Sequence, residues 1–214
     1  MTPNLAFMEF GGGAGPVLSV IEELPAAGPG QAEDETALVL RAARGDQMAF
    51  ARLIGARLDG LYGTAYRILR DREVAADAVQ DALYRAWRDV PSLRMPDRFD
   101  AWLMRVLLNV CMRAARTSRR QPVPLDHDPV HLARPSTEAS VADRDALERA
   151  FRRLTAEQRA VVVLHHYLEY DSAEIATALR IPRGTVRSRL HYATRVLRAA
   201  LDADSRPGLT GSDR

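Results

Sequence analysis

The chain has 214 residues, 30 Lys+Arg against 28 Asp+Glu, and a formal net charge of +2, a length that suits one large domain or two small ones. The single cysteine, Cys111, excludes an intrachain disulfide and any multi-cysteine zinc site. No apolar run reaches the ~18–20 residues of a membrane span, so membrane insertion is not expected.

The near-neutral total hides a split. Residues 1–36 carry six acids and no base, whereas residues 37–118 carry 14 arginines against nine acids. Residues 119–142 balance at three and three, and residues 143–214 carry 13 arginines against ten acids. Every basic residue is arginine, which reads as codon bias rather than selection for guanidinium chemistry.

Residues 1–35 are rich in Gly, Pro and Ala and are predicted to be a disordered acidic extension. No base precedes Arg41, so the positive n-region of a secretory signal is lacking and a cytoplasmic location is expected. An acidic tail that masks a basic surface and a simple choice of start codon (Met8 or Met48) both fit this segment.

Residues 36–118 read as helix. Leu38, Val39, Ala42 and Ala43 form a short apolar face that ends at Gly45. Asp46 caps a helix with the stripe Phe50, Leu53, Ile54, Leu58, Leu61, Tyr62, Ala65 and Leu69, and the spacing predicts one continuous element through Gly55, Gly60 and Gly63. Asp71 caps a third helix with Val74, Ala78, Leu83 and Trp87 inward. Pro91 and Pro96 bracket a loop, and a fourth helix runs from about Arg98 to Thr117.

Residues 119–142 hold Pro122, Pro124, Pro129 and Pro135 and are predicted to be an extended linker. His127, Asp128 and His131 within it read as solvated side chains rather than metal ligands. Residues 143–202 return to helix, with capping boxes at Thr155-Ala-Glu-Gln158 and Asp171-Ser-Ala-Glu174. Residues 203–214 are predicted to be a disordered tail, and no strand pattern occurs anywhere. The expected fold is all-α, with two small helical domains on a proline-rich tether.

The sharpest chemical signal lies in the second domain. A short helix with Ile175, Ala176 and Leu179, a turn at Arg180-Ile181-Pro182 and a longer helix from Gly184 make a helix-turn-helix. Val186, Leu190, Ala193 and Leu197 step by four, three and four and face the domain, while Arg187, Ser188, His191 and Arg195 point away. From Ile175 to Leu201 there are six arginines and no acid, a charge pattern that suits a major groove lined by phosphates. The first domain has a parallel feature: Ala101 to Leu125 is acid-free and carries Arg105, Arg113, Arg116, Arg119 and Arg120. Trp102 on that helix reads as a core anchor rather than a base-stacking platform, and Cys111 as a small core residue. Asp77 and Asp81 share one face with Gln80 beside them, and a partner surface and a solvated face both fit. His165 and His166 are adjacent and are expected to point apart, so they share no metal.

These strings, in this order, carry a family resemblance. Asp77-Ala-Val-Gln80-Asp81-Ala-Leu-Tyr-Arg-Ala-Trp87 resembles region 2 of the extracytoplasmic-function (ECF) sigma factors, compact bacterial initiation factors of the sigma-70 family. Arg44-Gly-Asp-Gln-Met-Ala-Phe50 is similar to the start of that region, and Phe99-Asp-Ala-Trp-Leu-Met-Arg-Val-Leu-Leu-Asn109 to its promoter-reading helix. Leu154-Thr-Ala-Glu-Gln-Arg, Glu174-Ile-Ala and Ile181-Pro-Arg-Gly-Thr-Val-Arg-Ser-Arg-Leu190 resemble region 4.

The resemblance implies region 2 over 36–118, region 4 over 143–202, and no catalytic site, metal or cofactor. It implies two main partners, core RNA polymerase and promoter DNA, and an anti-sigma factor that holds the protein inactive. Asp77, Gln80 and Asp81 would face the clamp helices of the polymerase. Leu93, Arg94, Met95 and Asp97 with Asn109 would form the pocket for a flipped minus-10 base, and Arg105 and Arg113 would add minus-10 contacts. Arg183, Thr185, Arg187, Ser188, His191, Tyr192 and Arg195 would serve the minus-35 duplex. The linker would thread the polymerase channel, and extra C-terminal domains are not expected.

Four departures stand out: Arg180 and Glu169 occupy positions where the family commonly has Gly, His165 stands where some members have a phosphate-binding arginine, and His191-Tyr192 replaces an aromatic and basic pair. The rival reading is an autonomous helix-turn-helix regulator, which accounts for residues 143–202 but not for the Asp77/Asp81 face or the Asn109 helix. An enzyme lacks support, because no phosphate loop, metal cluster or nucleophile–base set is present in the sequence.

Overall fold

The computed structural model describes residues 34–118 and 141–204, and these are helical, with no strand among them. In chain order the helices are α1 (Glu35–Ala43), α2 (Gln47–Gly55), α3 (Leu58–Leu69), α4 (Arg72–Asp89), α5 (Phe99–Ser118), α6 (Val141–Arg153), α7 (Ala156–His166), α8 (Ser172–Leu179) and α9 (Arg183–Asp204). The acidic extension up to residue 33, the linker with its His127, Asp128 and His131, and the tail beyond residue 204 lie outside the described residues.

The described residues divide into two compact units: residues 34–59 with Leu83–Asp100, and Gly60–Ala82 with residues 101–118 and 141–204. In the first unit α1 packs on α2 through Val39 and Ala42 and through Phe50, Leu53 and Ile54. Phe50 meets Trp87 edge-on at 5.2 Å, the offset geometry favoured by ring quadrupoles. Asp46 caps α2 as its spacing predicts, accepting from the Ala49 N–H at 3.0 Å. That bond, together with Arg41 at 2.8 Å, holds the Asp46 carboxyl below its ordinary range.

The single helix expected through residues 50–69 is two helices. α2 stops at Gly55 and α3 starts at Leu58, with the Arg57 N–H turned back to the Ile54 carbonyl at 2.8 Å. Gly55 weakens the helix locally, and the Arg57 side chain competes for its carbonyls by donating to the Leu53 carbonyl at 2.9 Å. Arg57 also pairs with Glu35 and Asp100 and stands 5.5 Å from the Phe99 ring centroid, so one guanidinium links α1, the α2–α3 corner and the start of α5. The break shifts the phase of the stripe. Leu61, Ala65 and Ile68 are buried in α3, whereas Leu58 and Leu69 are half-buried.

In the second unit the central core is Leu61, Ala65 and Ile68 of α3, Ala75, Ala78, Val79 and Ala82 of α4, and Leu103, Leu107, Leu108 and Cys111 of α5. Burial pushes the Cys111 thiol up to about 12, in keeping with a packing residue. Trp102 is half-buried. Asp71 caps α4 as expected, accepting from the Val74 N–H at 2.9 Å.

The four C-terminal helices pack around Phe151, Leu154, Ala160 to Leu164, Ile175, Val186 and Ala193, with α9 against α6, α7 and α8. Both predicted capping boxes are present. Thr155 Oγ1 accepts from the Gln158 N–H at 3.3 Å while Gln158 accepts from the Thr155 N–H at 2.8 Å. Asp171 accepts from the Ala173 and Glu174 N–H groups while Glu174 accepts from the Asp171 N–H at 2.8 Å. Each box satisfies donors at both ends of the first turn, so the start of α7 and the start of α8 are fixed.

Candidate nucleic-acid interface

The helix-turn-helix is α8, a three-residue turn and α9. α8 closes at Arg180, which adopts the left-handed conformation (φ 55, ψ 48). The Ile181 N–H reaches back to the Ala176 carbonyl at 3.0 Å, the six-to-one bond of a Schellman closure. Pro182 cannot continue α8, and its carbonyl accepts from the Thr185 and Val186 N–H groups to start α9. Glu169, in the turn between α7 and α8, is also left-handed (φ 56). Both positions where the family commonly has Gly adopt a positive φ, and here they carry side chains.

On α9, Val186 and Ala193 are fully buried and Leu190 and Leu197 half-buried, as the four-three-four spacing predicts. The opposite face presents Arg183, Arg187, Ser188, His191, Tyr192 and Arg195, all exposed, with Thr185 half-buried. Their three- and four-residue steps put Arg187, Ser188, His191 and Arg195 on one stripe. The Ser188 hydroxyl donates to the Thr185 carbonyl at 3.0 Å, which leaves its oxygen to accept from outside. The Arg195 guanidinium lies 5.6 Å from the Tyr192 ring centroid, so Tyr192 limits how that cation can swing. An open groove of about 300 Å³ continues the stripe between His191, Thr194, Arg195, Arg198 and Asp202.

Arg105, Asn109 and Arg113 of α5 are spaced by four and form one stripe. Asn109 and Arg113 are exposed, whereas Arg105 is half-buried and its Nε is buried without a partner. The loop residues Leu93, Arg94, Met95 and Asp97 lie between two 3-10 turns, Val90–Ser92 and Pro96–Arg98. Arg94, Met95 and Asp97 are exposed and Leu93 is half-buried, with Met95 as much as 57% accessible. The loop belongs to the first unit and Asn109 to the second.

α4 carries the acidic stripe, with Asp77 exposed and Gln80 and Asp81 half-buried. One residue of this face went unread in the sequence. Tyr84 falls at the next helical step and is 60% exposed. A signal was present, because a large aromatic at the i+3 and i+7 positions of an acidic stripe is out of place unless something covers it. His165 and His166 depart from expectation: their rings meet edge-on at 4.7 Å instead of pointing apart. His165 Nδ1 lies 3.1 Å from the Tyr170 carbonyl, which turns the ring back along its own loop. Burial, aided by the His165 charge, lowers the His166 pKa. Among the described residues no group of three or more His, Cys, Asp or Glu side chains could hold a metal ion, and no helix is long and apolar enough to cross a membrane.

Residues 53–121 match the sigma-70 region 2 family and residues 144–195 the sigma-70 region 4 family. The ECF RNA polymerase sigma factor SigL of Mycobacterium tuberculosis is 37% identical over 147 residues, covering 66% of this chain and 82% of that protein. The RNA polymerase sigma-E factor of Streptomyces antibioticus is 35% identical over 163 residues, covering 75% and 88%. Among solved structures, the complex of the sigma factor RpoE with the anti-sigma factor NepR from Bartonella quintana aligns with a TM-score of 0.58 at 25% identity, covering 72% of this chain and 98% of that one. CnrH in complex with the cytosolic domain of CnrY aligns with a TM-score of 0.55 at 27% identity, covering 80% and 99%. With both regions in sequence order and relatives matched over most of their length, the chain belongs to the ECF sigma factors of the sigma-70 family.

Proposed function

We propose that this protein seats core RNA polymerase on a two-part promoter, in the cytoplasm and under the control of an anti-sigma factor. The observation that carries the proposal is the α9 face. Six exposed side chains, three of them arginines, stand on a doubly capped helix-turn-helix with no acid among them. Such a surface attracts phosphates and offers Arg187, Ser188 and His191 to base edges. Arg183, Thr185, Tyr192 and Arg195 flank that set.

In this scheme Asn109, Arg105 and Arg113 on α5 engage minus-10 DNA, and so do Leu93, Arg94, Met95 and Asp97 in the loop. Extracting a base from the stack costs a few kcal/mol, and an amide with nearby apolar surface can repay part of it by hydrogen bonding and stacking. Asp77, Gln80 and Asp81, extended by Tyr84, form the polymerase face. Residues 36–118 and 143–202 act as the two binding modules, with 119–142 as the tether between them.

The test is run-off transcription. Core polymerase plus this protein yields promoter-specific transcripts, and core alone yields none. Tight promoter binding by the protein alone, with no effect on core, would establish the autonomous regulator instead. Asp77→Arg and Asp81→Arg are expected to abolish co-purification with core while far-UV circular dichroism stays unchanged. Undiminished co-purification would remove the α4 face from the scheme.

A further inference from the structure

The first unit holds an exposed patch beside the point where the acidic extension joins it. The patch is the loop between the two 3-10 turns, with its flank. Arg94 and Arg98 are exposed cations on it, and Met95, 57% accessible, is an exposed apolar side chain between them. Arg94 pairs with no acid among the described residues. Arg98 stands 3.7 Å from Asp97, and the two side chains are 68% and 71% exposed. A surface pair that long and that wet is weak, so the Arg98 guanidinium can take another anion.

The chain enters the fold next to this patch. Asp34 caps α1, accepting from the Thr36 N–H at 3.1 Å, so the point of entry is fixed. α1 packs against both 3-10 turns. Through one guanidinium, Arg57 ties Glu35, the first residue of α1, to Asp100, two residues beyond Arg98. The other end of α1 is held elsewhere, where Arg41 pairs with Asp46 at the start of α2.

Residues 1–33 lie outside the described residues and carry four acids, Glu9, Glu22, Glu23 and Glu33, with no base. The run Val17-Leu-Ser-Val-Ile-Glu-Glu-Leu24 sets five apolar side chains beside two of those acids. We infer that this run docks on the Arg94, Met95 and Arg98 patch and competes there with single-stranded DNA. The inference rests on the minus-10 role proposed for that loop. Glu22 and Glu23 replace phosphates at the two guanidiniums, and the apolar side chains replace bases against the Met95 thioether.

The tether reaches. Leu24 is ten positions before Asp34. A flexible segment of that length spans on the order of 16–19 Å, and at most ~35 Å when fully extended. It holds the run near the patch at an effective concentration on the order of 1 mM. An intrinsic affinity of only ~0.1 mM would then keep the patch covered about nine-tenths of the time and weaken DNA binding there about tenfold. Promoter DNA melted within the polymerase complex is itself held near the loop and can displace the run, whereas stray single strands in dilute solution cannot.

The test uses the full chain with isotope-labelled methionine methyl groups and a nitroxide on Ser19→Cys. Cys111 is fully buried, so the introduced thiol takes the label. The nitroxide is expected to broaden the Met95 methyl and to spare Met48, another exposed methionine of the same unit, at the start of α2. Glu22→Gln combined with Glu23→Gln should remove most of that broadening. A single-stranded minus-10 oligonucleotide from the run-off promoter should displace the run and restore the Met95 signal. The double variant should bind that oligonucleotide about fivefold more tightly than wild type. Glu9→Gln combined with Glu33→Gln changes the net charge equally outside the run and should stay within twofold of wild type.

Equal broadening of Met95 and Met48, or none at Met95, overturns the docking. So does a Glu22/Glu23 variant that binds the oligonucleotide no more tightly than the charge-matched one. Selective, charge-dependent broadening of Met95 that the oligonucleotide leaves intact, together with failed run-off, defeats the minus-10 reading and leaves the docked run standing.

Discussion

α5 and α9 carry the same kind of charge and distribute their side chains in opposite ways. α5 is acid-free from Ala101 onward, yet Leu103, Leu107, Leu108, Val110 and Cys111 are buried, and its outward reading positions reduce to Asn109, Arg113 and the half-buried Arg105. α9 fully buries Val186 and Ala193 and presents a long exposed stripe from Arg183 to Arg198. A reading helix that is also a core helix has few positions it can vary without disturbing the fold. A reading helix with few fully buried positions can change its outward face almost freely. Under the proposed function, promoter specificity should therefore be easier to alter at α9 than at α5.

The largest expected effect tests the core side of that contrast. Leu107 is fully buried, and Leu107→Ala should cost about 3 kcal/mol in stability, read by chemical denaturation. Both DNA activities should decline together as the folded fraction falls. A loss of minus-10 binding with undiminished stability would mean that α5 is less tied to the core than its burial indicates.

The next effect tests the α9 side. Arg187→Ala should weaken minus-35 duplex binding by about 1–3 kcal/mol in a sequence-selective manner, with the denaturation midpoint unchanged. A uniform loss across sequences would make Arg187 a phosphate contact. A loss of stability would place α9 in the same class as α5 and erase the contrast.

Much of this was legible in the sequence because its signals are local. Caps at Asp46, Asp71, Thr155 and Asp171, and the four-three-four stripe of α9, depend on residues within a turn or two of each other, and each appears in the structure. The break between α2 and α3 was not legible. It depends on Arg57 finding Glu35 and Asp100, partners 22 and 43 residues away, which periodicity cannot see. The left-handed Arg70 was missed because no glycine marks the end of α3. At Arg180 and Glu169 a family pattern of glycine gave the warning that local propensity did not. The exposed Tyr84 lies within the stretch Asp77–Trp87, but exposure is a property of packing and not of spacing.

A smaller effect concerns acid. Hydrogen bonds from the Glu174 and Ala173 N–H groups hold the Asp171 carboxyl below its ordinary range. Its contribution is therefore fully present above the unfolded carboxylate value of about 3.9 and is lost as pH falls through the lower folded value. Asp171→Ser keeps a capping oxygen but has no such titration. Its acid-unfolding curve should be flatter below about pH 4 than that of wild type. Coincident curves would show that the start of the helix-turn-helix does not depend on that charge.

The smallest effect lies in the turn. A left-handed non-glycine residue costs roughly 1 kcal/mol, while glycine loses more backbone freedom on folding, by roughly 0.5–1 kcal/mol. The two terms nearly offset, so Arg180→Gly should change stability by no more than about 0.5 kcal/mol, toward the more stable side. That near-balance explains how an arginine persists at the position, and it makes the charge the more informative readout. Arg180 is exposed at the entry to an acid-free reading helix. If it neutralises a phosphate, Arg180→Gly should weaken minus-35 binding equally on every sequence and reduce the salt slope by about one. Arg180→Asn, which tolerates the left-handed conformation without glycine's flexibility, should show the same slope change. A slope change in Gly but not in Asn would mean that turn geometry, not the lost cation, sets the affinity, and would show that α9 depends on its backbone closure as much as on its outward side chains.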